Sequence, residues 1–196
     1  FDIVLLNDGC ETKDLHSILN TCNINIEIRT AIKGTPGEIR NQLIDVLKKS
    51  RYDIIIFGDT DDFFSSNRIE KTLDKINQGI DVVFNDLSLV NEKGDLLAEN
   101  IWKDREELEN VDLAFLIRNN VLGLGNSALR KNILGFDLAL DLETPVFDWI
   151  FYLQVFHYNK EIRCGFVDEA CTYYRQHSNI LGLTNEYSKG RLEDRM

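Results

Sequence analysis

The sequence is short of the residue types that mark several protein classes. It has 2 prolines, 3 histidines and 4 cysteines in 196 residues. No two cysteines form a CxxC pair, and the histidines and cysteines show no zinc-site spacing. We therefore expect no structural zinc site. We expect the thiols to be reduced, as is usual in the cytosol. The thiols in question are Cys10, Cys22, Cys164 and Cys171.

Positive charge is also scarce. There are 22 Lys and Arg against 33 Asp and Glu, and the formal net charge is −11. This balance argues against a nucleic-acid partner and against adhesion to anionic lipid by charge alone. No apolar run approaches the ~20 residues of a membrane span, and no signal peptide is visible. We expect a cytoplasmic protein, with peripheral association at the inner face of the membrane left open.

The most informative stretch is a short apolar run followed by acidic residues. Residues 53–57 read DIIIF and lead into Gly58, a pattern typical of a strand buried on both faces. Three carboxylates follow this predicted strand: Asp59, Asp61 and Asp62. In open α/β sheets, ligands bind just past the carboxyl ends of such strands. Because these carboxylates would repel one another, the pattern indicates a divalent cation that bridges them to a phosphate.

The same stretch has two structural alternatives. The first is a polar turn before a helix over 68–78, which Asn67 and Glu70 would cap and Gly79 would end. That cap lies after the acidic residues, so it leaves them unexplained. The second is a calcium loop, which fails because Phe63 occupies the third ligand position and the required Gly is absent.

Strand and helix patterns alternate through the first half of the chain. In this half, strands are predicted at 1–6, 25–29, 53–57 and 81–86, and two more are predicted later, at 162–167 and 171–174. Helices are predicted after Thr12, after the capping pair Thr35 and Glu38, and after Asn67. A hairpin is predicted around Gly94. The alternation predicts an α/β fold whose sheet is largely parallel and covered by helices on both faces.

Asn7-Asp8-Gly9 follows the first predicted strand. In isolation, this sequence is typical of a tight hairpin turn. However, the apolar spacing that follows Thr12 predicts a helix, so the order becomes strand, loop, helix. We therefore expect Asp8 to lie at the carboxyl end of another strand.

The second half offers fewer patterns. Residues 104–118 are predicted to be helical, and Gly123–Ser127 (GLGNS) is a Gly-rich loop. This loop does not lie between a strand and a helix as a dinucleotide motif does, and it lacks the Lys of a Walker motif. We interpret it instead as a wall where the main chain approaches an acceptor closely. Thr144-Pro145 begins an apolar helix with Asp148 near its amino end. That carboxylate either complements the helix dipole or takes part in chemistry.

Taken in order, these motifs resemble the family 2 glycosyltransferases, which have the GT-A fold. Six segments carry the resemblance: Asn7–Cys10, Gly37 with Arg40-Asn41, Asp59–Asp62, Phe84–Leu97, Phe147–Trp149 and Tyr174–Asn179. The last, Tyr-Arg-Gln-His-Ser-Asn, is similar to a segment common among rhamnosyltransferase-like members. Each motif alone is weak, but six in the right order cover nearly the whole chain.

The resemblance implies an inverting transfer of a sugar from a nucleotide-diphosphate donor to a hydroxyl of a glycan, polysaccharide or lipid-linked acceptor. Asp148 would be the general base. The donor would be bound by Asp8, Arg40, Asp59, Arg175 and His177. The ligands of Mg²⁺ or Mn²⁺ would be Asp61, Asp59 and His177. The chain would form a single domain, with a donor part at 1–98, an acceptor part at 99–182 and a peripheral tail at 183–196.

The sequence also departs from the family pattern. The family's first strand has no counterpart before Phe1, and we expect that upstream residues were omitted. Asn7 replaces an Asp, and Glu143 is a rival for the role of base. Two alternative functions stay open: a non-catalytic sugar-nucleotide-binding domain, and a phosphohydrolase of the haloacid-dehalogenase kind. The phosphohydrolase would use Asp59 as nucleophile and Asp61 as acid.

Overall fold

The computed structural model of the protein describes residues 1–11, 13, 15, 19, 21, 23–137 and 146–176. The chain forms two compact units, one within residues 1–50 and one made by the described residues from Arg51 onward. The expected division into a donor part, an acceptor part and a tail stays a prediction, and the tail at 183–196 lies outside the described residues.

The first unit contains a two-stranded parallel sheet. Strand β1 (Ile3–Asn7) pairs in parallel with β2 (Ile26–Thr30). Helical residues lie between the two strands: Lys13, Leu15 and Leu19. Because a two-residue hairpin joins only antiparallel strands, the parallel pairing excludes a hairpin turn at Asn7-Asp8-Gly9. The predicted order of strand, loop and helix is therefore confirmed, and Asp8 follows the carboxyl end of β1.

Helix α1 (Pro36–Lys48) begins as its sequence predicts. The Thr35 hydroxyl accepts the Glu38 N–H at 3.3 Å, and the Glu38 carboxylate accepts the Thr35 N–H at 2.6 Å. This reciprocal pair is a capping box, and it satisfies donors that the first helical turn leaves unbonded. Ile44 and Leu47 are buried on one face of the helix.

In the part of the chain that the structure describes, the second unit is built on a six-stranded sheet. Its strands are β3 (Ile54–Ile56), β4 (Phe63–Phe64), β5 (Val82–Val90), β6 (Leu96–Ala98), β7 (Ser127–Arg130) and β8 (Cys164–Arg175). The order is β3-β7-β5-β8-β4, and β6 pairs with β5. The β5–β8 pair is parallel, whereas the β3–β7, β5–β7, β5–β6 and β4–β8 pairs are antiparallel. The predicted α/β class is confirmed, but the sheet is mixed rather than largely parallel.

The reason for the mixed pairing is the short strand β7. It lies between β3 and β5 and runs antiparallel to both, so those two strands point the same way without bonding to each other. The common direction of β3 and β5 was predicted from the pattern of strand, helix and strand in the sequence. The four residues of β7 come much later in the chain and were not predicted as a strand.

Among the described residues, the second unit has three α-helices: α2 (Arg68–Asn77), α3 (Leu113–Leu116) and α4 (Phe147–Tyr158). Single 3₁₀ turns lie at Glu106–Asn110, Leu124–Asn126 and Lys131–Leu134. Ile76 of α2 packs against Val83 of β5, Ala128 of β7 and Val167 of β8 in a buried apolar cluster. Over the described ranges, no helix combines the length and the apolar character that a membrane crossing requires.

Two helix predictions were wrong in detail. The helix expected over 104–118 is broken into a 3₁₀ turn and α3, and Asp112 caps α3 by accepting the Phe115 N–H. At the start of α2, the Asn67 side chain donates to the Glu169 carbonyl instead of capping the helix. Gly79 does end α2, with a φ of +91° that favours glycine.

The two strands predicted at 162–167 and 171–174 are parts of one strand, β8. In its pairing with β5, Val167 lies opposite Asn85 and Cys171 lies opposite Asp86. Three residues, 168–170, therefore bulge out of the ladder. A bulge of this kind bends a strand and redirects the side chains that follow it, which in β8 are those of residues 171–175.

Candidate active site

The acidic segment between β3 and β4, residues 59–62, forms a turn that we call the Asp loop. The Asp62 N–H is directed at the Asp59 carbonyl at 3.4 Å, which closes the turn. The Asp61 side chain is exposed, whereas those of Asp59 and Asp62 are half-buried. Because β3 ends just before this loop, the sequence prediction that its carboxylates follow a strand is confirmed.

Residues 123–126, which we call the Gly loop, lie against the Asp loop. A Cβ atom on Gly125 would lie 2.8 Å from Asp59 Oδ2 and 3.3 Å from Asp62 Oδ2. Because the first distance is too short for real Cβ atoms, glycine at this position lets the two carboxylates approach the main chain. The GLGNS segment is thus a place of close approach, here to the Asp loop, and its position beside an acceptor stays a prediction.

The other end of the Gly loop contacts Asp148. Asp148 Oδ2 accepts the Leu124 N–H at 3.1 Å and lies 3.7 Å from the Cβ position of Gly123. Asp148 is in the first turn of α4, as predicted, although Thr144-Pro145 and Glu143 lie outside the described residues. Carboxylates predicted to hold a metal and the carboxylate predicted to act as base therefore border one short loop.

Two further contacts fix the helix that carries Asp148. Trp149 Nε1 donates to the Leu116 carbonyl at 2.6 Å, which ties α4 to α3. The fully buried Tyr152 hydroxyl lies 2.6 Å from the Ser127 hydroxyl, at the start of β7. Burial raises the pKa of Tyr152 above its ordinary value, so this phenol stays neutral. These bonds hold the position of Asp148 beside the Gly loop.

Arg175, at the end of β8, binds a main-chain carbonyl and a carboxylate of the Asp loop. Its N–H donates to Asp62 Oδ1 at 2.9 Å, and its Nε donates to the Asp61 carbonyl at 2.7 Å. Its Nη1 donates to the Glu92 carbonyl at 2.7 Å, in the turn between β5 and β6. Arg175 therefore connects the Asp loop to the β5–β6 hairpin. Its predicted contact with the donor stays a prediction.

The charge of Asp62 is unfavourable where this side chain lies. Burial raises the pKa of Asp62 to about 6, and the nearby charges of Asp59 and Asp61 add to this effect, while the Arg175 N–H opposes it. Its Oδ2 is buried and has no hydrogen-bond partner in the part of the chain that the structure describes. A carboxylate oxygen in this situation is suited to bind a proton or a cation.

We expect Asp62→Asn to stabilise the protein, in the presence of a chelator, above pH 6 but not at pH 4. The folded-state pKa of Asp62, about 6, exceeds the ordinary 3.8, so its ionisation disfavours the folded state as pH rises from about 4 to 6. Because Asp62 is only half-buried, solvent screening limits the gain to about 1 kcal/mol. This corresponds to roughly 2–4 °C in thermal melts at a series of pH values.

The matched control is Asp168→Asn, which removes an exposed carboxylate from the β8 bulge. The difference in melting temperature between Asp168→Asn and wild type should be small and the same across pH 4–8. If the Asp62→Asn difference were equally flat, then ionisation of Asp62 would not oppose folding.

A buried polar network lies beneath the Asp and Gly loops. Arg68 Nε donates to Asn85 Oδ1, and Arg68 Nη2 donates to the Phe57 carbonyl, each at 2.8 Å. Asn85 Nδ2 donates to the Thr172 hydroxyl at 2.9 Å, and that hydroxyl donates to the Gly125 carbonyl at 3.1 Å. The network thus connects the end of β3, the start of α2 and the Gly loop.

Sequence reasoning missed this network. Burial lowers the pKa of Arg68 to about 10, yet the guanidinium stays charged at neutral pH. A signal was available, since Arg68, Thr72 and Ile76 recur every four residues and all three are buried on one face of α2. An Arg on the apolar face of a helix indicates a buried partner, which here is Asn85.

The other predicted site residues are placed as follows. In the first unit, Asp8 is exposed just after β1, and Arg40 is half-buried in α1. His177 lies outside the described residues. Among the residues that are described, no group of three or more His, Cys, Asp or Glu side chains is arranged to hold a metal. Carboxylate oxygens are nonetheless the donors that Mg²⁺ and Mn²⁺ prefer, and those of Asp59 and Asp62 converge on Gly125.

Comparison with known proteins gives a match in structure. No family model matches the sequence, and no curated protein matches it. Residues 1–349 of TarS from S. aureus superpose with a TM-score of 0.65 at 19% identity, over 90% of this chain and 51% of that one. The chain therefore spans about half the length of that TarS fragment.

Two further structures are similar to this chain, and both contain a nucleotide and a metal. GalNAc-T7 with UDP, GalNAc and Mn²⁺ gives a TM-score of 0.58 at 12% identity, over 93% of this chain and 39% of that one. Glucosyl-3-phosphoglycerate synthase from M. tuberculosis, with Mn²⁺, UDP and phosphoglyceric acid, gives 0.57 at 15% identity, over 99% and 67%. The fold is GT-A. This fold disagrees with the phosphohydrolase alternative, and the likeness to rhamnosyltransferase-like members stays a prediction.

Proposed function

We propose that this GT-A chain is a nucleotide-sugar-dependent glycosyltransferase that inverts the configuration of the transferred sugar. The observation that carries the proposal is the Gly loop. It places the carboxylates of Asp59 and Asp62 at Gly125 and that of Asp148 at Gly123 and Leu124. Displacement at a sugar carbon needs a site for the leaving diphosphate and a base for the attacking hydroxyl. The carboxylates of Asp59 and Asp62 fit the first need, and that of Asp148 fits the second.

The Asp loop is proposed to hold the diphosphate end of the donor. Asp61 and Asp59 would be the ligands of Mg²⁺ or Mn²⁺, and His177 would join them from the segment beyond the described residues. When bound, such a cation would stabilise the charge that develops on the departing diphosphate. Arg175 would keep the loop in place through its bonds to Asp61 and Glu92. GalNAc-T7 and the synthase, both solved with Mn²⁺ and UDP, support this proposal.

Asp148 is proposed to take the proton from the acceptor hydroxyl. The acceptor oxygen would then form a bond to the sugar carbon as the bond from that carbon to the diphosphate breaks, and the nucleoside diphosphate would leave. The Leu124 N–H holds one carboxylate oxygen of Asp148, which fixes its direction. In the first unit, Asp8 and Arg40 are proposed to bind the nucleotide. The acceptor would be a hydroxyl of a glycan, polysaccharide or lipid-linked sugar. The transfer is proposed to take place in the cytoplasm.

The first test is a thermal-shift panel of UDP, dTDP, GDP and CDP, each with and without Mn²⁺, on wild type and Asp61→Ala. Saturation ~100-fold above the dissociation constant stabilises a protein by about 2.7 kcal/mol, which is a readily measured shift. We expect one nucleotide to give a Mn²⁺-dependent shift that Asp61→Ala loses. Asp61→Ala removes an exposed side chain and keeps the Asp61 carbonyl, which binds Arg175.

The control for this panel is Asp168→Asn, which should keep the shift because its carboxylate is outside the Asp loop. No shift with any nucleotide on wild type would contradict the proposal. A nucleotide shift without any release of the sugar from its conjugate would instead favour a non-catalytic nucleotide-binding domain.

A further inference from the structure

Tyr174 lies on the face of β8 that meets the Gly loop. Side chains two residues apart on a strand project from the same face, and adjacent ones project from opposite faces. Thr172, two residues earlier, donates to the Gly125 carbonyl. Tyr173 projects the other way and stacks on Phe63, with ring centroids 4.7 Å apart. The phenol of Tyr174 is therefore directed to the side of the sheet where the carboxylates converge.

The charges of both groups of carboxylates act on the Tyr174 hydroxyl. Burial, together with the charges of the Asp-loop residues and of Asp148, raises the pKa of Tyr174 to about 12. In the described part of the chain, no residue forms a hydrogen bond with this hydroxyl. Tyr174 thus brings a neutral O–H donor, with no protein partner among those residues, to the space between the Asp loop and Asp148.

In the proposed reaction, this space is the place of the transferred sugar. The sugar carbon must lie between the diphosphate, which the Asp loop would hold, and the acceptor oxygen, which Asp148 would deprotonate. The Gly loop borders both groups of carboxylates, and a side chain on the face of β8 that meets this loop therefore lies beside the sugar ring. A sugar presents hydroxyl groups at its rim, and a phenol can donate to one of them and accept from another.

We propose that the Tyr174 hydroxyl binds a hydroxyl group of the transferred sugar and thereby contributes to the choice of donor sugar. This inference rests on the proposed function, since it needs a sugar bound between the two carboxylate groups. A site that hydrogen-bonds a substrate hydroxyl rejects analogues that lack it, because the protein group is then left without its partner.

The test compares Tyr174→Phe with Tyr173→Phe. Each variant loses one phenol hydroxyl from the same strand, and each keeps its ring, but the two rings lie on opposite faces. Calorimetric titration in Mn²⁺ would measure the dissociation constants of UDP, UDP-glucose, UDP-galactose and UDP-N-acetylglucosamine, or of the corresponding conjugates of whichever nucleotide the panel selects. Melting temperatures of both variants would verify that the fold is intact.

We expect the affinity for the free nucleotide to be equal in all three proteins. The conjugate that wild type binds most tightly should bind about 10-fold more weakly to Tyr174→Phe, as the loss of one hydrogen bond predicts. Its affinity for Tyr173→Phe should be unchanged. The deoxy analogue that lacks the contacted sugar hydroxyl should bind equally to wild type and Tyr174→Phe.

The outcomes separate this inference from the function on which it rests. If wild type binds no nucleotide, the proposed function fails and the inference fails with it. If wild type binds the nucleotide and its conjugate, but Tyr174→Phe binds the conjugate equally well, then the inference alone is wrong. Equal weakening of the free nucleotide and the conjugate would assign the hydroxyl to the diphosphate, which would also overturn it.

Discussion

Replacing Asp148 with asparagine is expected to lower the rate of sugar transfer by about 10²–10⁴-fold, as is typical when a general base is removed. Asparagine keeps an oxygen that can accept the Leu124 N–H, so the helix and the Gly loop should stay in place. It cannot take a proton from the acceptor hydroxyl at neutral pH. The measurement is the initial rate of nucleoside diphosphate release from the conjugate that wild type binds.

Nucleotide binding separates this result from a general loss of structure. The Mn²⁺-dependent thermal shift of Asp148→Asn should equal that of wild type, because the Asp loop is unchanged. Asp168→Asn, which is an equally small substitution at an exposed carboxylate, should keep full activity. If Asp148→Asn also kept its activity, then the role of Asp148 would be to complement the dipole of α4, and the base would have to be sought elsewhere.

Arg68→Met is expected to cause the largest loss of stability among substitutions near the site. Methionine retains an unbranched apolar chain but leaves the Asn85 side-chain oxygen and the Phe57 carbonyl without the donors they have in wild type. Each buried acceptor left in this way costs about 1–3 kcal/mol. We expect a total loss of roughly 2–5 kcal/mol, seen as a fall of about 5–15 °C in the melting temperature.

Two other variants make this prediction specific. Lys71→Met removes a cation from the same helix, but its partner Glu169 is exposed, so the melting temperature should hardly change. Arg68→Lys can keep one of the two buried hydrogen bonds and should melt between Arg68→Met and wild type. Equal melting of Arg68→Met and Lys71→Met would mean that the buried network contributes little to folding.

The sequence was most informative where local chemistry decides structure. The capping box of Thr35 and Glu38 is a local pattern, and it opens α1 as predicted. The position of the acidic residues could also be predicted. Since the strand pattern ends before Gly58, Asp59 must lie beyond the carboxyl end of that strand. In both cases the determining atoms are a few residues apart in the chain.

Long-range partners could not be predicted in the same way. Asn67 has the residue type of a cap, but the bulge in β8 brings the Glu169 carbonyl within reach, and the side chain binds there. The contacts of Arg175 with Asp61, Asp62 and Glu92 were likewise not predicted. Such choices depend on distances between segments more than eighty residues apart, which a single sequence does not contain.

The late insertion of β7 has a consequence for synthesis on the ribosome. Strand β3 leaves the exit tunnel early, but its partner in the sheet, at residues 127–130, is made more than seventy residues later. The partner of the central strand β5, strand β8, is made later still, since it begins at Cys164. Pairings between such distant segments form slowly, and unpaired strand edges invite association with other chains. The nascent chain therefore carries open strand edges until β8 emerges, and during that interval we expect it to be prone to association with other chains.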